Sequence, residues 1–164
     1  MTATLGTTPN LQPIYNVALE IDTTPTATTP TWAKVCAGID NLEEELNEES
    51  DTYYFLCGAG FGDTEVTGMA PDIKLTGKRS IGDAAQEFIF GFTTKYGLYN
   101  ARHSHMRLTI TQGTSAEEGT PVIISENITI KDISEIKGDA NKPSDIGFTL
   151  ACNGKPVLGD AWAA

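Results

Sequence analysis

The stretch that most constrains this chain is Ser80–Phe92, SIGDAAQEFIFGF, the clearest helical pattern in a sequence that otherwise reads as strands and turns. Ser80 offers an N-cap hydroxyl, and Asp83 falls in the positive first turn. Ile81, Ala84, Ala85, Phe88, Ile89 and Phe92 recur at helical spacing, and Gly91 and Gly97 bracket the exit. The predicted packing face is Ile81, Ala85, Phe88, Ile89 and Phe92. One short amphipathic helix cannot bury that face alone, so the rest of the chain is expected to supply a sheet beneath it.

The flanking sequence meets that need. Ile14–Asp22 alternates Tyr15, Val17, Leu19 and Ile21 against smaller or polar residues, the period of a half-buried strand. Thr31–Ala37, Tyr53–Cys57, Met69–Gly77, His105–Gln112, Pro121–Ile136 and Asp145–Ala151 read as further strands. Asn153-Gly154 marks a tight turn before a short return at Lys155–Leu158. Thr23–Pro30, Gly58–Gly68 and Thr114–Thr120 read as connections, because turn residues and prolines dominate them. The expected fold is α+β and mostly β: an antiparallel sandwich or open barrel carrying one flanking helix over about residues 80–92. Residues 1–13 read as an N-terminal arm, 14–158 as one domain and 159–164 as a short tail.

Charge narrows the function classes. Eleven Lys plus Arg stand against 22 Asp plus Glu, a formal net charge of −11. A tight nucleic-acid binder needs cationic surface to displace counterions, and this chain lacks it. The acid concentrates in Ile39–Asp51, IDNLEEELNEESD, with Glu43, Glu44, Glu45, Glu48, Glu49 and Asp51. Like charges this close weaken any isolated helix, so a solvated or partner-facing loop or short helix is expected. The N-terminus shows no secretory signal pattern and no apolar run approaches membrane-spanning length, which predicts a soluble protein made in the cytosol. Cys36, Cys57 and Cys152 form no C-x-x-C pair and read as buried or half-buried thiols.

Catalytic and cofactor motifs fail on inspection. A phosphate-binding loop ending at Lys78 would need Gly where Asp72 stands and Ser or Thr where Arg79 stands. Gly58-Ala59-Gly60-Phe61-Gly62 opens no helix, so a dinucleotide site is a poor reading. His103 and His105 share a strand face, but spacing supplies no third metal ligand. The acidic stretch lacks the spacing of a calcium loop. No catalytic, cofactor or metal residue is assigned, and a non-enzymatic role is expected.

Several blocks together are more specific. Trp32, then Gly38-Ile39-Asp40-Asn41-Leu42-Glu43-Glu44-Glu45-Leu46-Asn47-Glu48, then Tyr54-Phe55-Leu56, Gly60-Phe61-Gly62 and Val66-Thr67-Gly68-Met69 appear in order. Leu75 to Gln86 follows, and Phe148 with Asn153-Gly154-Lys155-Pro156 closes the set. This combination closely resembles the tail tube proteins of long-tailed bacteriophages over residues 14–158, with Gln112–Pro121 departing from the pattern.

The resemblance implies packed β-sheets with one helix, a fold that assembles as hexameric rings stacked into a tube. Implied partners are further copies of the chain, the tape-measure protein, the tail terminator, tail-tip proteins and genomic DNA in transit, with no membrane. The implied location is the virion tail, after synthesis in the host bacterial cytoplasm. An acidic lining suits DNA passage: the duplex carries about one negative charge per 1.7 Å, and a basic lining would hold it. The resemblance also makes Ile39–Asp51 the segment that contacts a neighbouring subunit or ring, with Lys78, Arg79, Lys95, Arg102 and Arg107 as candidate cationic partners. The alternative is a ligand- or carbohydrate-binding β-sandwich; an enzyme with an acidic site is the third class.

Overall fold

A computed structural model describes residues 11–111 and 121–162. The expected arm at 1–13 and the 114–120 connection therefore fall mostly or wholly outside the described residues. The strands are β1 (Val17–Asp22), β2 (Trp32–Lys34), β3 (Ile39–Glu45), β4 (Glu49–Tyr54), β5 (Gly62–Gly68), β6 (Asp72–Lys78), β7 (His103–Thr111), β8 (Pro121–Ser134) and β9 (Asp145–Leu158). Two short helices, α1 (Ala84–Ile89) and α2 (Phe92–Lys95), lie between β6 and β7.

Seven strands form one antiparallel sheet in the order β2-β1-β7-β8-β9-β6-β3, and β4 pairs with β5 in a separate ribbon. Of the expected sandwich or open barrel, the main sheet takes the open-barrel form, a single curled half-barrel. Connectivity forces the curl. β2 and β3 are opposite edges, yet only residues 35–38 join them. Five Cα steps reach at most about 18 Å, whereas seven flat strands would be about 29 Å wide. The sheet must bend until its edges approach.

Alternation then sorts the side chains. Leu19 and Ile21, Met106 and Leu108, Ile128 and Ile130, Ile146, Phe148 and Leu150, and Ile73 and Leu75 all point to one buried core. Each such side chain contributes about 1.5–3 kcal/mol when fully buried. The helix closes the core with Ala85, Ile89 and Phe90.

That helix is shorter than the sequence pattern suggests. Its N-cap is Asp83, whose carboxylate accepts from the Gln86 N–H at 3.1 Å, and Ser80 lies in the preceding turn. Ile81 and Phe92 are 89% and 81% exposed, so both are corrected out of the packing face. Ile81 precedes the helix, and a break at Gly91 turns Phe92 away while Phe90 takes the buried place. Phe90 meets Phe148 edge-on at 6.1 Å between ring centroids. Ala85 and Ile89 are fully buried, with Phe88 partly so.

Other boundaries shift for visible reasons. Ile14–Asn16 is a 3-10 turn, leaving Tyr15 exposed before β1 begins. The expected turn at Asn153-Gly154 is instead part of a continuous β9, with a register irregularity opposite Glu126. Gly154 adopts φ +85°, which lets the strand accommodate that irregularity. Ile39–Asp51, expected as loop or helix, is strand β3, a bend and the start of β4. Gly58–Gly68, expected as a loop, is largely β5, and Leu56–Gly58 is a 3-10 turn rather than strand. Cys36 and Cys57 are exposed, against the expectation of buried thiols.

Candidate assembly surface

β3 and β6 form the sheet-bound half of a long hairpin whose outer half is the β4–β5 ribbon. The Ala70 N–H to Leu46 carbonyl bond, 3.0 Å, and the Asn47 side chain to the Ala70 carbonyl, 2.9 Å, fasten the joint. Beyond it no residue of β4 is buried, and in β5 only Gly68 is even half-buried. The ribbon nevertheless carries Tyr53, Tyr54, Phe55, Leu56 and Phe61, with Phe55, Leu56 and Phe61 56%, 105% and 80% exposed. A lone two-stranded ribbon is marginal in water, and an exposed apolar group of this size is uncommon on a monomer's surface.

The six sequence-predicted carboxylates run along the outside of this hairpin. Glu43, Glu44 and Glu45 lie on edge strand β3, Glu48 in the bend, and Glu49 and Asp51 on β4. Glu45 pairs with Lys74 at 2.9 Å, and cross-strand register also sets Lys74 opposite Glu43. On the ribbon, Asp51 stands directly opposite Glu65. Facing like charges weaken a strand pair. No Lys or Arg occurs between Leu46 and Ala70 to relieve them.

The candidate cationic partners are spread over the fold, each engaged within the chain. Lys78 pairs with Asp145. Arg79 bridges Glu87 and Glu135 at 2.9 and 2.8 Å, and Lys95 reaches Glu135 at 2.9 Å. Lys95, ahead of the burial that opposes it, holds the Glu135 carboxyl below its usual range, with Arg79 adding to the effect. Arg102 donates to the carbonyls of Lys95, Gly97 and Ile130 at 2.6, 3.1 and 3.2 Å. Arg107 holds Glu20 and, at 2.7 Å, Asp160.

A second polar cluster lies on the outer face of β2-β1-β7, where no motif pointed. Burial alone would raise the Asp22 carboxyl. It is instead held below its ordinary range by the His105 ring, 3.0 Å away, and by the Thr24 and Thr31 amides at 2.9 and 3.0 Å. Trp162 packs on His105 at 5.0 Å and on Trp32 at 5.4 Å, and the Arg107 guanidinium lies 4.1 Å over Trp32. Among the described residues no group of three His, Cys, Asp or Glu is arranged to hold a metal. Burial pushes the Cys152 thiol up to about 11, which makes it a poor nucleophile.

No protein-family model matches the chain, and no curated protein matches it by sequence. Solved structures do match it. The chain in the tail of an empty gene transfer agent particle, refined with C6 helical symmetry, superposes with a TM-score of 0.62 at 15% identity, covering 92% of this chain and all of that one. This is the tail tube fold. The tube-terminating cap of the anti-feeding prophage matches with TM-score 0.59, 16% identity and coverage of 98% and 100%. A sheath/tube terminator of an extracellular contractile injection system gives 0.60, 12%, 94% and 100%. The tail tube resemblance read from the sequence therefore agrees with the three-dimensional fold.

The sequence reading missed the ribbon as a folded element and the outer-face cluster as a unit. It named Trp32, His105 and Arg107 separately without joining them to Asp22, Asp160 and Trp162. A signal for the first was present: an acidic run with no cation, followed at once by YYFLC and a glycine-rich turn. The second joins residues 22, 32, 105, 107 and 160–162, and no local pattern links them.

Proposed function

We propose that this chain is a structural subunit that polymerises as stacked hexameric rings into a phage-like tail tube, lies in the particle's tail, and carries no catalytic activity. The observation that carries this reading is the ribbon Glu49–Gly68: it has an apolar tip and an uncompensated acidic face, it pairs with no other strand among the described residues, and it belongs to a fold shared with tail particles. A second copy supplies what the ribbon lacks. The edges β2 and β3 and the acidic row Glu43–Asp51 are the further contact surfaces.

Within such a tube the net charge of −11 favours a lumen that repels DNA weakly and lets it slide. The tape-measure protein, tail terminator and tail-tip proteins would meet the same subunit at the lumen and the tube ends. Electron microscopy of the purified protein, alone and with tail-tip proteins as initiator, tests the reading. Rings or hollow tubes are expected. Reversing charge at Glu43, Glu45, Glu48 and Glu49 should weaken them in a salt-sensitive way. A chain that stays monomeric at high concentration with every initiator would overturn the proposal.

A further inference from the structure

The segment Gly159–Trp162 does not trail away from the fold. It crosses the outer face of the sheet, where the Gly159 N–H donates to the Ile123 carbonyl at 2.8 Å and Ser125 Oγ donates to the Gly159 carbonyl at 2.6 Å. The Ala161 N–H returns to Ser125 Oγ at 3.0 Å. Asp160 takes one arm of the Arg107 fork, and Trp162 stacks beside Trp32 and His105. None of these residues enters the apolar core, and Ala161 is exposed. The strap is attached to the fold without being part of its interior.

What it covers has a definite chemistry. Without the strap, this face would present Trp32 with a guanidinium over its ring, and Arg107 would keep a single acidic partner, Glu20. Lys34 lies on the same edge strand, two residues from Trp32, and is exposed. With Asp160 released, Arg107 and Lys34 stand beside Glu20 and the Asp22–His105 pair. The open arm of the Arg107 fork next to the Trp32 ring fits a strand that offers a carboxylate followed two residues later by an aromatic ring.

The chain contains that order, Asp-x-aromatic, twice. Asp160 and Trp162 in the strap are two residues apart, and so are Asp51 and Tyr53 on β4. Register places Asp51, Tyr53, Asp63 and Glu65 on one face of the ribbon, and Tyr53 stacks on Phe55 at 6.2 Å there. That face has three carboxylates and no cation of its own.

We propose that Gly159–Trp162 is a self-docked strap occupying the Arg107–Trp32 site, and that the Asp51–Tyr53 face of a second copy's ribbon takes this site on assembly. The inference rests on the tail tube reading, because it names the surface that the ribbon meets. Strap and ribbon then compete, so whatever favours one weakens the other by the same factor. The strap keeps free subunits from joining prematurely.

Two measurements on the full chain and its variants test this. The chain has two tryptophans, Trp32 and Trp162. In a Trp32→Phe chain, emission reports Trp162 alone; on assembly it should shift to longer wavelength and become easier to quench with acrylamide. Trp162 equally or better protected in assembled material would overturn the strap. A chain ending at Leu158 should assemble at a concentration lower by about fivefold or more. An unchanged or higher threshold would also overturn it. If the shortened chain does not fold, the full-length Asp160→Asn chain carries the same expectation. If no variant forms rings or tubes under any condition, the tail tube reading falls and the inference falls with it. Tubes with a protected Trp162 remove the strap alone.

Discussion

Gln86 Nε2 donates to the Ala37 carbonyl at 2.7 Å, bonding the helix to the four-residue link between the two edges of the sheet. The same amide donates to the Lys78 carbonyl at 3.3 Å, and its oxygen accepts from the Ser80 N–H at 2.8 Å and Arg79 at 3.3 Å. One buried side chain, 1% exposed, thus ties α1 to the ends of β2 and β6 where the half-barrel would otherwise gape. Gln86→Leu keeps the volume but strands those partners. A loss of about 3 kcal/mol is expected in urea unfolding, since each unpaired buried group costs about 1–3 kcal/mol.

Gly38 sits in the same junction with φ +73°, and a Cβ there would run into the Lys78 carbonyl and lie 2.6 Å from Ser80 Oγ. Its own carbonyl accepts from the Lys78 N–H at 2.7 Å. Gly38→Ala combines a left-handed backbone penalty with a clash against main chain. Destabilisation of more than about 2 kcal/mol is expected from thermal melts. A neutral result would mean that Gly38 does not lie against the Lys78 carbonyl in solution.

Three phenylalanines in one stretch separate the observed helix from the expected one. Phe90→Ala should cost about 3–5 kcal/mol, because the ring is 6% exposed and packs on Phe148. Phe88→Ala, at a partly buried ring, should cost less. Phe92→Ala should leave subunit stability within about 0.5 kcal/mol, as at other exposed sites. Denaturant midpoints of the three variants give the ordering directly.

The sheet was legible wherever one face is buried, because period-2 alternation is then enforced residue by residue. Met106, Leu108 and Ile110 located β7, and Ile128 and Ile130 located β8, to within a few residues. The helix was legible, but its cap was not: Ser80 and Asp83 are both good capping residues, and the choice falls to Asp83 because Gln86 holds Ser80 in the turn. The acidic stretch was misread for a non-local reason. Glu43, Glu44 and Glu45 repel along the chain, but Lys74 across the strand offsets them. The YYFLC segment reads as a short apolar strand, and nothing in its own composition says that it is exposed. Exposure there is a property of where the hairpin leaves the barrel.

The pH dependence of folding should show at Glu126, which is 7% exposed on β8 at the register irregularity with β9. Burial raises its carboxyl above the usual value of 4.5; the Cys152 thiol donates against that shift and the Glu44 charge adds to it. Because the folded group holds its proton longer than the unfolded one, its favourable contribution is complete below the ordinary carboxylate range. It is lost as pH rises through the raised value. At neutral pH the native state therefore bears a buried charge that Glu126→Gln removes while keeping the shape. The variant should melt higher than the parent at pH 8, and the gap should shrink toward pH 4. Equal melting temperatures at both ends would place the Glu126 carboxylate in water, and the Ser125–Asn127 irregularity would then be open at that end of the barrel.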